Sequence, residues 1–166
     1  MQAILVRIAV DHSYGAWNAP VDPKSREFVY VPIPENASQF LPGLARNYDE
    51  VIPPLKEFCQ RFSRRLHDDL RFPEELRKRQ MHLDPDFQYL TYGDRGDRRG
   101  AGISEMTEGD LLVFYSGLRP IYPTRDKLTY AIVGLYVVRD VMLARTVPHD
   151  LRYQNAHTRK MKIREK

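Results

Sequence analysis

The segment His82-Leu83-Asp84-Pro85-Asp86 places one imidazole and two carboxylates at alternate positions of the chain. In an extended backbone such side chains share one face. A histidine beside carboxylates can act as a general acid or base, or it can bind a divalent metal. The segment is short and has no partner motif at a known spacing, so a hydrogen-bonded structural histidine is an open alternative. We name His82 and Asp84 as catalytic candidates, include Asp86 among the ligand-binding candidates, and assign no metal and no cofactor.

Two further polar clusters follow apolar or aromatic stretches. DHSYG at 11–15 could offer a carboxylate, a hydroxyl and backbone N–H groups to a phosphate or a base, or it could be a structural turn. NAHTR at 155–159 combines an amide, an imidazole and a guanidinium, although a basic tail in solvent would look the same. His157 is a third catalytic candidate. The ligand-binding candidates from these clusters are Asp11, Ser13, Tyr14, Gly15, Asn155 and His157.

Basic and aromatic residues favour a phosphate-bearing partner. The formal net charge is +4, and arginines concentrate between 95 and 99 and in the tail after residue 151. Any one such group is typical of a solvated face, but several together favour a polyanion. Aromatic rings near the polar clusters could stack on bases. We assign phosphate contacts to Arg95, Arg98, Arg99 and Arg159, and stacking to Tyr14, Trp17 and Tyr115.

Composition sets the class of protein. A length of 166 residues is typical of one globular domain. Cys59 is the single cysteine, and its place in an apolar helical stripe predicts a buried, inert thiol. The sequence contains no run long enough to span a membrane and no basic leader, so we expect a cytoplasmic protein without a membrane partner. Phosphate-binding loops, zinc-protease motifs and serine-hydrolase elbows are absent, which gives the standard catalytic classes no support.

Hydrophobic periodicity predicts an α+β fold. Apolar and β-branched runs predict strands, and the 3.6-residue stripe from Leu55 to Leu66 predicts an amphipathic helix. Gly134 suggests a bulge in the last long strand. Dense strands with short connections after residue 87 favour a small curved antiparallel sheet or a barrel, flanked by one or two helices. We predict strands at 3–10, 27–33, 87–92, 111–117 and 128–138, and helices from residue 53 and at 73–79.

Four motifs in order resemble the nucleotide modification associated domain, third class. They are DHSYGAWNAPVDP with VYVPIPE, then HLDPD, then EGDLLVFYSG with YAIVGLYVV, and finally NAHTR. The likeness covers most of residues 1–160 and implies one domain over 1–166 that acts in DNA modification or phage conflict. The DRGDRRGAG segment departs from the family in its arginines, and further sequence is expected after NAHTR. The functional surface that the resemblance implies comprises Asp11, Ser13, Tyr14, Gly15, His82, Asp84, Asp86, Asn155 and His157.

A second, weaker likeness is to PUA-like base-reading domains such as EVE and YTH, through a GD pair, an apolar strand, a loop and IVGLYVV. Three functions follow as hypotheses. The first is a module that binds nucleic acid or a nucleotide and recognises a modified base. The second is an enzyme acting on a nucleotide or modified base, with His82 or His157 as acid and base and Asp84 or Asp86 in support. The third is an interaction subunit with partner proteins in a modification or defence system.

Overall fold

A four-stranded mixed sheet organises the fold, and its central strand is β5 (Leu111–Pro120). Strand β1 (Ala3–Arg7) lies parallel to the first half of β5, and the short β2 (Pro20–Val21) lies parallel to its end. Strand β6 (Thr129–Val137) runs antiparallel along β5.

The computed structural model describes residues 1–11, 17–36, 39–62, 71–96, 98–122, 124–125 and 127–160, and for 98 and 99 the backbone only.

The two long strands form where the sequence is apolar and rich in β-branched and aromatic residues. Their pairing shifts register beside Gly134, because Phe114 faces Gly134 whereas Tyr115 faces Ile132. One extra residue on β6 therefore makes a bulge. A Cβ atom on Gly134 would lie 2.5 Å from the Phe87 ring, so glycine is needed for this close contact. The predicted irregularity at Gly134 is confirmed.

Helix α1 (Ile52–Phe62) packs on one of the hydrophobic clusters of the domain. It buries Leu55, Phe58 and Cys59, which confirms the apolar stripe as far as the described residues extend. The part of the stripe from 63 to 66 lies outside them. A second α-helix, α2 (Glu74–Arg77), precedes a two-stranded antiparallel sheet of β3 (Ile33–Pro34) and β4 (Met81–His82). Short 3-10 helices are described at Tyr48–Glu50, Arg98–Ile103, Ala144–Thr146 and His149–Gln154.

The α+β class is confirmed in its broad form, but the expected sheet is corrected. The main sheet is mixed, because the long connection between β1 and β5 lets two strands distant in sequence lie in parallel. Within the described part of the chain the sheet does not close, so a PUA-like barrel is not supported. The strand predicted at 87–92 is instead a turn whose ends meet at the Asp86–Thr91 bridge.

The hydrophobic interior has two centres. One lies beneath α1 and is built around Tyr48, Leu76 and Leu118. The other lies against β5 and β6 around Phe114, with Phe87, Tyr92 and Tyr136 packed on it. The segment 82–86 links the two centres in sequence, since Met81 belongs to the first and Phe87 packs on the second. No helix of the described residues is long and apolar enough to cross a membrane.

Candidate functional site

Three segments distant in sequence meet at one polar cluster. Strand pairing between Ile33 and His82 brings Glu35 beside the end of β4, and the Glu35 N–H donates to Gln80 at 2.8 Å. Asp84 follows two residues after His82. The loop after the short helical turn 149–154 brings His157 to the same carboxylate, 73 residues along the chain. The fold therefore assembles this cluster, hereafter the Asp84 site (Glu35, His82, Asp84, His157 and Lys160).

Asp84 is the centre of the site. Its side chain is 6% exposed, and its Oδ2 lies 3.1 Å from Nε2 of His157 and 3.7 Å from Nε2 of His82. Its other oxygen, Oδ1, accepts the Gly93 N–H at 2.7 Å. One oxygen is thus fixed by the backbone, while the other faces two imidazoles.

His82 lies between two carboxylates. Its Nδ1 is 2.6 Å from Oε2 of Glu35, and Nζ of Lys160 lies 2.9 Å from the same oxygen. Burial by itself would lower the pKa of His82, but hydrogen bonds and charge attraction from Asp84 and Glu35 outweigh it and raise that pKa to about 9. Burial would raise the pKa of Asp84, yet the bonds from His157 and His82 leave it below its usual value. With no ligand bound, the site favours a charged imidazolium and carboxylate.

A local network orients His157. Its backbone N–H donates to Oδ1 of Asn155 at 2.8 Å, and Nδ2 of Asn155 donates to Oγ1 of Thr91 at 3.2 Å. A Cβ atom on Gly93 would lie 2.4 Å from Cδ2 of His157, so the imidazole packs directly on the glycine backbone. Asn155 and His157 therefore lie in one turn, and Asn155 holds the backbone that carries the imidazole; a ligand-binding role for either residue stays a prediction.

The site is open at one histidine. The His157 side chain is 33% exposed, against 12% for His82, so a ligand would approach past His157. The two rings are nearly perpendicular, with centroids 4.9 Å apart. Burial, followed by nearby carboxylates that include Asp84, raises the pKa values of the Tyr30, Tyr92 and Tyr136 phenols. These phenols therefore stay neutral at physiological pH.

Asp86 lies in a separate structural turn. Its Oδ1 accepts the N–H groups of Gln88 and Tyr89, and its Oδ2 accepts a hydrogen bond from Arg159. Arg159 is itself buried and also donates to the Tyr153 carbonyl. The prediction that His82, Asp84 and Asp86 share one face is therefore wrong, because Asp86 caps a turn and does not lie in an extended segment. The Arg159 guanidinium, which the sequence suggested for a phosphate, is paired with Asp86 instead.

Asp11 joins strand ends. Its carboxylate accepts from Nε of Arg7 at 2.6 Å, from the Gly117 N–H at 3.0 Å and from Nδ2 of Asn18 at 3.1 Å. These bonds tie the segment after β1 to β5. Ser13, Tyr14 and Gly15 lie outside the described residues, so their part in a site stays a prediction from the sequence.

The other predicted contacts are dispersed. Trp17 is 5% exposed and packs edge-on against Phe72, so its ring belongs to the core and cannot offer a stacking face. Tyr115 alternates with buried Phe114 and lies on the opposite face of β5, beside Tyr130. Arg95 is exposed two residues after Gly93, close in sequence to the site. The side chains of Arg98 and Arg99 are not among those described.

Sequence reasoning missed three members of the site or its support, namely Glu35, Gly93 and Lys160. Glu35 ends VYVPIPE, directly after an apolar segment, and Gly93 precedes a loop rich in arginine. No local pattern marks either residue, because Glu35 contacts His82 and Gly93 packs on His157, partners that lie more than 40 residues away. A polar residue at a strand end was the one local signal for Glu35.

Comparison with known proteins gives one result. The model of a family described as nucleotide modification associated domain 3 matches residues 2–166. Searches of curated proteins and of solved structures found no match.

Proposed function

Since this chain belongs to the nucleotide modification associated domain 3 family, we propose that it binds a nucleotide or nucleic acid at the Asp84 site and recognises a modified base there. The family places the chain in the setting of nucleotide modification. The choice of site is carried by one observation: His82, Asp84 and His157 converge from distant segments at a partly exposed position. An isolated structural histidine would need no second imidazole on the same carboxylate.

The polar atoms of the site suit the edge of a base. A carboxylate accepts hydrogen bonds, and an imidazole can donate or accept according to its protonation. Bases present amino donors together with ring-nitrogen and carbonyl acceptors, and carboxylates pair with amino groups. Asp84 and His157 together could therefore read a donor beside an acceptor. Reaching them from duplex DNA would require a flipped base, which costs a few kcal/mol.

Among the described side chains, Arg95 is an exposed basic residue close in sequence to the site, and we propose it as a phosphate contact. It is exposed, and its loop begins at Gly93, which contacts His157. Phosphate contacts add affinity with little dependence on sequence and weaken as salt rises. The proposal therefore assigns affinity to Arg95 and selectivity to the Asp84 site.

A second candidate function is an enzyme acting on a nucleotide or modified base. It is favoured by the arrangement of two imidazoles around one buried carboxylate, which suits proton transfer and its orientation. His82 or His157 would be the acid or base, and Asp84 would orient it. Asp86 would support the fold, because Arg159 and two backbone N–H groups already occupy its oxygens.

Binding is tested by fluorescence anisotropy with the full chain, at low salt, against unmodified and base-modified oligonucleotides and free nucleotides. We expect His157→Ala to weaken binding at least about tenfold, equivalent to about 1.4 kcal/mol. The matched control is His149→Ala, since His149 is exposed outside the site. Arg95→Ala should weaken all oligonucleotides alike and lower the salt slope by about one.

The proposal fails if no oligonucleotide or nucleotide binds at low salt, or if His157→Ala binds as the unchanged protein does. Mass spectrometry of the same incubations separates the two candidate functions. A changed base or nucleotide that depends on His157 supports the enzyme, whereas unchanged ligand with His157-dependent binding supports the binding module.

A further inference from the structure

We propose that His82, Asp84 and His157 bind one divalent first-row transition-metal ion, such as Zn²⁺ or Fe²⁺. The sequence motif HLDPD offers two of these ligands, and the fold adds the third from NAHTR. The inference rests on the proposed function for its purpose only: with the ion bound, the nucleotide would contact the ion at its open position in place of Oδ2 of Asp84 and Nε2 of His157. The site itself is argued from the geometry of its donor atoms.

The donor atoms lie close enough for one small metal ion to bind them together. One donor atom from each of the three side chains lies within 4.8 Å of the other two. Oδ2 of Asp84 is 3.1 Å from Nε2 of His157 and 3.7 Å from Nε2 of His82. Tetrahedral bonds of about 2.0–2.1 Å place neighbouring ligand atoms roughly 3.3 Å apart. These two distances lie on either side of that value, and coordination would require the three side chains to close around the ion.

The surrounding groups leave the correct atoms available. Nδ1 of His82 is engaged by Glu35 at 2.6 Å, which directs Nε2 toward Asp84. Metal-binding histidines usually donate their second ring N–H to a carboxylate or carbonyl in this way. Oδ1 of Asp84 is held by the Gly93 N–H, which leaves Oδ2 for the ion. This supporting shell is an observation independent of the three ligands, and a plain ion-pair cluster would not need it.

The charge of the three ligands and their number also suit a divalent metal ion. Asp84 carries the one negative charge among the three ligands, and Lys160 offsets Glu35 behind His82. Two imidazoles and one carboxylate suit zinc and non-haem iron. Three protein ligands leave at least one position open, which is typical of catalytic sites, whereas structural zinc sites are closed by four. The partly exposed His157 lies on the side from which water, a phosphate oxygen or a base could reach that position.

The test is a titration of the chelator-treated, dialysed full chain with Zn²⁺ by calorimetry and with Co²⁺ by visible absorption. We expect saturable 1:1 binding and the Co²⁺ bands of a four- or five-coordinate nitrogen and oxygen site. Asp84→Asn and His157→Ala should each weaken binding by more than about 100-fold, beyond the range expected for second-shell changes. His149→Ala is the matched control for adventitious histidine binding and should leave affinity and spectrum unchanged.

Glu35→Gln separates positioning from folding. It keeps the size of the side chain and all three proposed ligands. It should therefore lower the affinity for the metal by about 10–100-fold and shift the Co²⁺ bands. Circular dichroism on each variant verifies that the chain is folded. A Glu35→Gln protein with the affinity and spectrum of the unchanged chain would contradict the proposed shell.

The inference is overturned if the folded, unchanged protein binds neither ion saturably, or if His157→Ala binds Co²⁺ with the same affinity and spectrum. The nucleotide proposal is judged separately by anisotropy in chelator and in added Zn²⁺. Nucleic-acid binding without metal binding overturns the metal site alone. Metal binding without any nucleotide or nucleic-acid binding supports the metal site and overturns the proposed function.

Discussion

Asp84 and Asp86 are two residues apart, and both carboxylates are buried, yet their surroundings differ in kind. Asp86 is bonded to two backbone N–H groups and to the buried guanidinium of Arg159. Asp84 has one oxygen fixed by Gly93, while its other oxygen faces two imidazoles, one of them a third exposed. Partners that cannot move or exchange protons indicate a structural carboxylate. Partners that can exchange protons or bind a ligand support the functional role that we propose for Asp84.

The difference arises from the chemistry of the partners and not from their distance along the chain. Each carboxylate has partners close in sequence: Gln88 and Tyr89 for Asp86, and His82 for Asp84. Each also has one partner 73 residues away, Arg159 for Asp86 and His157 for Asp84. A guanidinium stays charged and is a donor only, whereas an imidazole can donate, accept or bind a metal.

The largest expected effect concerns the structural side of this comparison. Arg159→Met should lower the free energy of unfolding by about 3–5 kcal/mol, because it leaves the Asp86 carboxylate buried without its partner. Urea denaturation at pH 7 measures this effect. Where the variant is still folded, its Zn²⁺ affinity should stay within a few-fold of the unchanged chain. A small stability loss together with lost metal binding would reverse the roles assigned to Asp84 and Asp86.

Gly93→Ala should lower stability less than Arg159→Met does, but it should weaken ligand binding at the Asp84 site more. The added methyl group would collide with the His157 ring, at a cost of about 1–3 kcal/mol for overpacking. Displacing that ring should also weaken Co²⁺ and nucleotide binding.

The matched control for Gly93→Ala is Gly134→Ala, which overpacks Phe87 at a similar distance on β6. It should lower stability comparably and affect binding less. Equal binding losses in both variants would indicate a general packing effect rather than displacement of His157.

The smallest expected effect on stability concerns Asp110, a carboxylate that, like Asp86, is held by backbone N–H groups. Asp110 accepts hydrogen bonds from the backbone of Thr107 and Gln2, which lower its pKa to about 2. A lowered pKa gives stability that is present above the unfolded value near 4 and is lost as pH falls through about 2. The stability difference between the unchanged chain and Asp110→Asn should therefore shrink over that interval. A difference that does not change with pH in urea denaturation would show that ionisation plays no part.

Local patterns predicted part of this fold correctly and named three residues that the fold brings together. The apolar runs of β5 and β6, the bulge at Gly134 and the buried face of α1 could be predicted because neighbouring residues determine them. The HLDPD and NAHTR motifs supplied His82, Asp84 and His157, since imidazoles and carboxylates at segment ends are visible in the sequence.

Other features depend on contacts that a sequence does not display. The parallel pairing of β1 with β5 requires segments about 100 residues apart to meet. The sequence predicts Asp86 as a ligand-binding residue and Arg159 as a phosphate contact, and only the folded structure reveals that the two form an ion pair. Gly93 and Glu35 support the site through contacts with His157 and His82, which no local pattern indicates.

The most direct measurement is the imidazole nitrogen NMR spectrum of the ¹⁵N-labelled, chelator-treated chain during a Zn²⁺ titration. The chain has five histidines, so each ring can be assigned by single substitution. We predict that Nε2 of His82 and Nε2 of His157 shift together and saturate at one equivalent, while the His149 ring is unaffected. Unchanged His82 and His157 signals, with shifts confined to other histidines, would contradict the assignment of the Asp84 site.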